Sequence, residues 1–70
     1  MIDEVLFMQT RLFRMFLERY RLSPEDGNRL FNAGGIWGFI AECYDLLHVS
    51  GDDAALSDVE EALAAKGVVW

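Results

Sequence analysis

The sequence predicts an all-α domain, a small bundle of about four helices with a helix-turn-helix-like middle. Three observations point there. Apolar residues recur at three- and four-residue steps in the longer segments, the spacing of one helix face. Start and stop signals frame the segments, Ser23-Pro24 opening one and Gly34-Gly35 closing it. The connections are short, and the chain has no repeat, low-complexity tract or linker, so one domain over residues 1–70 is expected.

The first helix is expected from about Asp3 to Tyr20. Asp3 and Glu4 fall in its first turn and Arg19 and Arg21 at its end, matching the positive and negative poles of the helix dipole. Val5, Met8, Leu12 and Phe16 form a stripe, widened by Leu6, Phe13, Leu17 and Tyr20 on one side and Met15 on the other. The apolar arc is roughly 200° wide, against the ~100° that a surface helix needs. Such a helix sits centrally or packs on a second chain. Arg11, Arg14 and Glu18 take the opposite face, with Arg14 and Glu18 spaced as an ion pair.

The second helix is expected from about Pro24 to Ala33. Ser23 is the N-cap, Pro24 fits the first helical position, and Asp26 makes a weaker capping box. A third helix is expected from about Ile36 to His48, with Ile36, Phe39, Ile40, Cys43, Leu46 and Leu47 facing the core. Gly38 in that run suggests a close helix–helix approach, since glycine there costs roughly 1 kcal/mol relative to alanine. Asp52 to Leu56 reads as a turn. Ser57 and Glu60 make a capping box for a last helix that carries Val59 and Leu63 and stops at Gly67. Val68, Val69 and Trp70 form an apolar tail that folds back on the core, adds a short strand or makes an interface contact.

Composition narrows the function classes. Seventy residues, 53% of them hydrophobic, approach the lower size limit for folding without a staple, and a domain this small buries only about 60% of its unfolded surface. Apolar residues are therefore expected on the outside, to be covered by a partner or a second copy. The net charge of −6 is uneven: residues 36–70 hold seven acids against Lys66 alone. An acidic half argues against a nucleic-acid backbone and suits a basic protein surface. The chain opens with the acids of "MIDEV" and has no apolar run longer than four residues. A whole, cytoplasmic gene product of bacterial type is expected, without signal peptide or membrane span.

The reactive residue types cluster in "GFIAECYDLLHVSG". Cys43 and His48 cannot act together from one helix, because five steps set their directions about 140° apart. Cys43 reads as a small apolar core residue. Glu42 and Asp45 read as a solvated acidic face. Asp52, Asp53 and Asp58 lack the alternating ligands and terminal glutamate of a calcium loop. Gly34 and Gly35 have no preceding strand or following lysine to hold a phosphate. No catalytic, cofactor-binding or metal-binding set is expected, and no small-molecule substrate is evident. His48 closes the end of the third helix by favouring the dipole. Trp37, Tyr44 and His48 lie on one stripe beside the core stripe, with Ala41 between them. They are the expected partner-binding patch, since Trp and Tyr are typical binding anchors.

Helix 2, the Gly-Gly turn and helix 3 also suggest a DNA-binding or transcriptional helix-turn-helix. The recognition helix would be "IWGFIAECYDLLH", which holds no Arg, Lys, Asn or Gln to read bases. Arg11, Arg14 and Arg21 would be its only basic patch. Nucleic acid is therefore the weaker expectation. A homodimer closed by helix 1, with no further partner, is the third.

"LSPEDGNRLFNAGGIWGFIAECYDLLHVSGD" following an apolar first helix, with Asp58-Val59 opening a later one, is similar to a bacterial family of small proteins catalogued as domain of unknown function 3791. Leu30-Phe31, Ile36, Ile40 and Tyr44-x-x-Leu47-His48 carry the likeness, which spans nearly the whole chain. Ala54-Ala55-Leu56 and the tail depart from the family pattern. The resemblance implies no activity. It implies gene neighbours resembling ADP-ribosyltransferases, and hence an accessory or antitoxin-like partner role. The resulting expectation is a non-enzymatic protein-interaction module.

Overall fold

Among the described residues the chain folds into five helices and no strand: α1 Glu4–Tyr20, α2 Pro24–Gly34, α3 Ile36–Glu42, α4 Tyr44–Ser50 and α5 Asp52–Ala65. The computed structural model describes residues 3–70. α1 opens at Asp3, whose Oδ1 accepts the Leu6 N–H at 3.0 Å. It closes at Arg21, which takes the left-handed conformation at φ 53° and donates its N–H to the Leu17 carbonyl. Met8, Leu12 and Phe16 are buried along its inner face. The other four helices all pack on α1. Of the two expectations for so apolar a helix, the central one holds inside the protomer.

α2 opens as its residues predict. Ser23 Oγ accepts the Asp26 N–H at 3.1 Å, and Pro24 follows at the first position. Phe31 is buried. The close helix approaches lie on this helix, not at Gly38, where an added Cβ would meet open space. A Cβ at Gly27 would collide with Leu17 Cδ2, and one at Gly34 would stand 2.6 Å from Leu63 Cδ2. Those two glycines let α2 settle against α1 and α5. Gly35 alone separates α2 from α3.

Two corrections follow from the second half of the chain. The single helix expected over Ile36–His48 is two, because Cys43 leaves helical geometry at φ −101° and ψ 14°. Its N–H still bonds the Phe39 carbonyl at 2.9 Å, while its own carbonyl accepts from Leu46 at 3.0 Å and Leu47 at 2.9 Å. The ladder restarts there. Neither Pro nor Gly marks the break, and Cys and Tyr are only middling helix formers, so packing decides it: α4 lies on α5. Leu47 is buried after the break, whereas Leu46, expected in the core, is 71% exposed.

The expected turn at 52–56 is instead the first part of α5. Ala55, Leu56, Val59 and Leu63 form one buried stripe at helical spacing. Asp52 and Asp53 occupy the first turn, where acids favour the dipole. Ser57 therefore lies inside the helix and caps nothing. The real boundary is Gly51, at φ 87° and ψ 161°, a region essentially closed to residues with a Cβ. The tail folds back: Val68 N–H bonds the Leu63 carbonyl at 3.0 Å. The Trp70 ring lies 5.7 Å from Phe16 and 5.6 Å from Tyr20.

These boundaries are testable. Gly51→Ala is expected to cost about 1–3 kcal/mol through backbone strain, since no neighbour crowds the position. Ser57→Ala is expected to be neutral or slightly stabilising, within about 0.5 kcal/mol, because a cap would have cost about 1. Urea midpoints of the two variants check both expectations.

Candidate functional site

α4 carries the densest set of outward side chains with binding character. Its first residue, Tyr44, is half-buried and donates its phenolic O–H to Glu4 Oε2 at 3.0 Å, tying α4 to the start of α1. One turn later the His48 ring lies 5.1 Å from the Tyr44 ring. Leu46 and Val49 lie three residues apart and project outward, 71% and 73% exposed. With Leu47 buried, helix geometry sets Leu46 about 100° and Val49 about 200° away from it.

The electrostatics around this surface are one-sided. Among the described residues the ion pairs are Arg11–Asp52 at 3.3 Å, Arg19–Glu60 at 3.3 Å and Arg29–Asp26 at 3.0 Å. None uses Glu42, Asp45 or Asp53, which flank or lie on α4 and are exposed. Arg14 and Glu18, expected as a pair, form none among the described residues. The Tyr44 phenol is held above its ordinary value. Partial burial is the largest cause, followed by the Glu4 carboxylate that it faces and by Asp45.

A second outward surface lies on α1. Leu6 and Phe7 are 57% and 62% exposed, and the Arg11 guanidinium sits 5.9 Å from the Phe7 ring centre. This Phe7–Arg11 ridge separates two hollows. One, of about 540 Å³, runs along α1 from Asp3 to Glu18. The other, of about 260 Å³, is bounded by Glu4, Phe7, Met8, Arg11 and Tyr44.

The expected patch of Trp37, Tyr44 and His48 is therefore divided. Tyr44 and His48 come together. Trp37 sits among the interior rings, 5.0 Å from Phe31 and 5.2 Å from Phe13. Its indole N–H donates to Asn32 Oδ1 at 3.1 Å, and its carbonyl accepts from Gln9 Nε2 at 2.8 Å. It fastens α3 to α1 and α2. Cys43 is half-buried against the core. Among the described residues no three His, Cys, Asp or Glu side chains are placed to hold a metal ion. None of the described helices is long and apolar enough to cross a membrane.

Phe7 is not among the expected site residues, although its position carries a signal. It is an aromatic residue on the charged face, four and seven residues before Arg11 and Arg14. Val49 carries a weaker one: two residues after the core position Leu47, it points about 200° away on a helix.

The Tyr44–Glu4 contact has a pH signature. Burial, and after it the facing Glu4 carboxylate, raise the phenol pKa, so the neutral phenol's contribution to stability is fully present below the ordinary tyrosine range near 10 and is lost as pH rises through the folded-state value. Glu4→Gln is expected to move the Tyr44 titration down toward that range. An absorbance titration of tyrosinate in both proteins reads the difference.

A family model described as "Protein of unknown function (DUF3791)" matches residues 7–66, and the chain belongs to that family. No curated protein and no solved structure matches it.

Proposed function

We propose that this DUF3791 protein is a non-enzymatic protein-interaction module that docks a basic protein partner on the outer surface of α4. The observation that supports this most is the exposure of Leu46 and Val49 at 71% and 73% among acids that no cation neutralises within the described ion pairs. Two branched aliphatic side chains in water are a waiting contact of roughly 1.5–3 kcal/mol each if fully covered. The surrounding Glu42, Asp45 and Asp53 select against acidic partners and speed the approach of basic ones. His48 and the edge of Tyr44 add a ring surface on one flank. Trp37 serves the module by holding α3 in place.

The partner that the family resemblance suggests is an ADP-ribosyltransferase-like protein encoded beside this chain, which makes an antitoxin-like or accessory role the specific form of the proposal. A non-enzymatic role is supported by the use made of the polar contacts. Tyr44–Glu4, Tyr20–Glu60 and Trp37–Asn32 each bridge helices and do not converge on one hollow. The helix-turn-helix alternative has less support. α3 is seven residues long, and Arg11 is committed to Asp52 and Phe7.

Calorimetric titration of the purified chain against that neighbouring protein tests the proposal. Wild type is expected to bind, more weakly as salt rises. The double substitution Leu46→Lys/Val49→Lys is expected to weaken binding at least tenfold while leaving the helical circular dichroism unchanged. Equal affinity of the two proteins would reject the α4 surface, and no binding by wild type would reject this partner.

A further inference from the structure

The outer face of α1 is a separate surface from that of α4. We infer that it pairs with the same face of a second copy of this chain, antiparallel, about a two-fold axis passing between Phe7 and Thr10.

Its shape and its charge order carry the inference. Leu6 and Phe7, 57% and 62% exposed, open onto a hollow of about 540 Å³ that, among the described residues, is lined by Asp3 and α1. α1 is also the longest helix, at 17 residues, or about 25 Å of straight contact edge.

Charge narrows what fills the hollow. The whole chain carries −6, so two copies repel wherever the acids dominate. The α1 face is the exception, since both signs occur in its lining: Arg14 between Asp3 and Glu18, with Arg11 paired to Asp52 at its edge. A partner of one strong sign gains little from a face of mixed sign. A surface with the same charges in reverse order gains at both ends, and an antiparallel copy supplies that order. With Phe7 set opposite Thr10 of the second copy, the position sums agree (7 + 10 = 3 + 14), and Asp3 falls opposite Arg14 in each half. In the same register Leu6 falls opposite Arg11 of the second copy, and the two Phe7 side chains flank the axis, away from water. A parallel pairing would set arginine on arginine. Arg11, held by Asp52 at 3.3 Å, borders the contact and leaves Arg14 to make the crossing pair. The two-fold arrangement uses one patch on both copies and closes the assembly at two.

Light scattering and sedimentation equilibrium on the purified full chain test this. Wild type is expected at twice 8.0 kDa in concentrated solution, dissociating on dilution. Phe7→Arg is expected to be monomeric with an unchanged far-ultraviolet spectrum. Arg14→Asp, which sets acid against acid, is expected to raise the dissociation constant about tenfold at low salt, with the loss shrinking as salt is added. A wild-type mass of 8.0 kDa at every concentration would overturn the inference. So would a dimer that survives Phe7→Arg. If the chain alone is monomeric and Phe7→Arg instead abolishes binding of the neighbouring protein, the face belongs to that protein and self-pairing is wrong. The Leu46→Lys/Val49→Lys variant leaves this face intact, so the two surfaces fail independently.

Discussion

The fold depends on one seam. Met8, Leu12 and Phe16 stand at four-residue steps on α1 and are buried there, and every other helix packs on α1. Each such side chain gives roughly 1.5–3 kcal/mol when fully removed from water. A 70-residue chain has a total stability of only about 4–10 kcal/mol. A single seam position is thus a large share of the whole. The interior rings extend the seam: Phe13 against Phe31 at 5.2 Å, and Phe16 against Phe31 at 5.4 Å. Trp37 and Trp70 close its two flanks from α3 and from the tail.

The same seam dictates what is left outside. Helical geometry that turns 8, 12 and 16 inward turns 7, 10 and 14 outward. An apolar arc of roughly 200° exceeds what one side can bury, so Leu6 at its edge remains in water, and Phe7 lies beyond the arc on the charged face. On α4 the constraint acts differently. The short helix must turn Leu47 onto α5, and Leu46 and Val49 are exposed as a consequence. Polar contacts then fix the helix ends around the seam. Glu60 accepts from both Tyr20 and Arg19, joining α5 to the end of α1. Glu4 accepts from Tyr44, joining α4 to its start. Glu60 reads in the sequence as half of a capping box and in the fold serves as an interhelix clamp.

Much of this was legible locally. The all-helical class, the α1 span, the Ser23 cap, the Pro24 start and the glycine stop before Ile36 all rest on neighbours a few residues apart, and periodicity or capping chemistry marks them. The family likeness was legible too, through Leu30-Phe31 and Tyr44-x-x-Leu47-His48. What was missed depends on distant packing. The break at Cys43 has no local breaker, and Leu46, about 100° from the buried Leu47, is a surface residue instead of an expected core one. α5 starts at Asp52 because burial of Ala55 and Leu56 extends its stripe by more than a turn, overriding the weaker Ser57 signal. Trp37 shares a stripe with Tyr44 and His48 only on a continuous helix, whereas its ring fills a site offered by Phe13 and Phe31. The close approaches at Gly27 and Gly34 follow from Leu17 and Leu63, residues on other helices.

The direct test of the seam compares two leucines of one helix, Leu12 at 0% exposure and Leu6 at 57%. Urea unfolding is measured for Leu12→Ala and Leu6→Ala at concentrations dilute enough to keep the chain monomeric. Leu12→Ala is expected to lose about 2–5 kcal/mol, leaving little folded protein, and Leu6→Ala to stay within about 0.5 kcal/mol of wild type. Comparable losses at the two positions would contradict a fold organised on the inner face of α1.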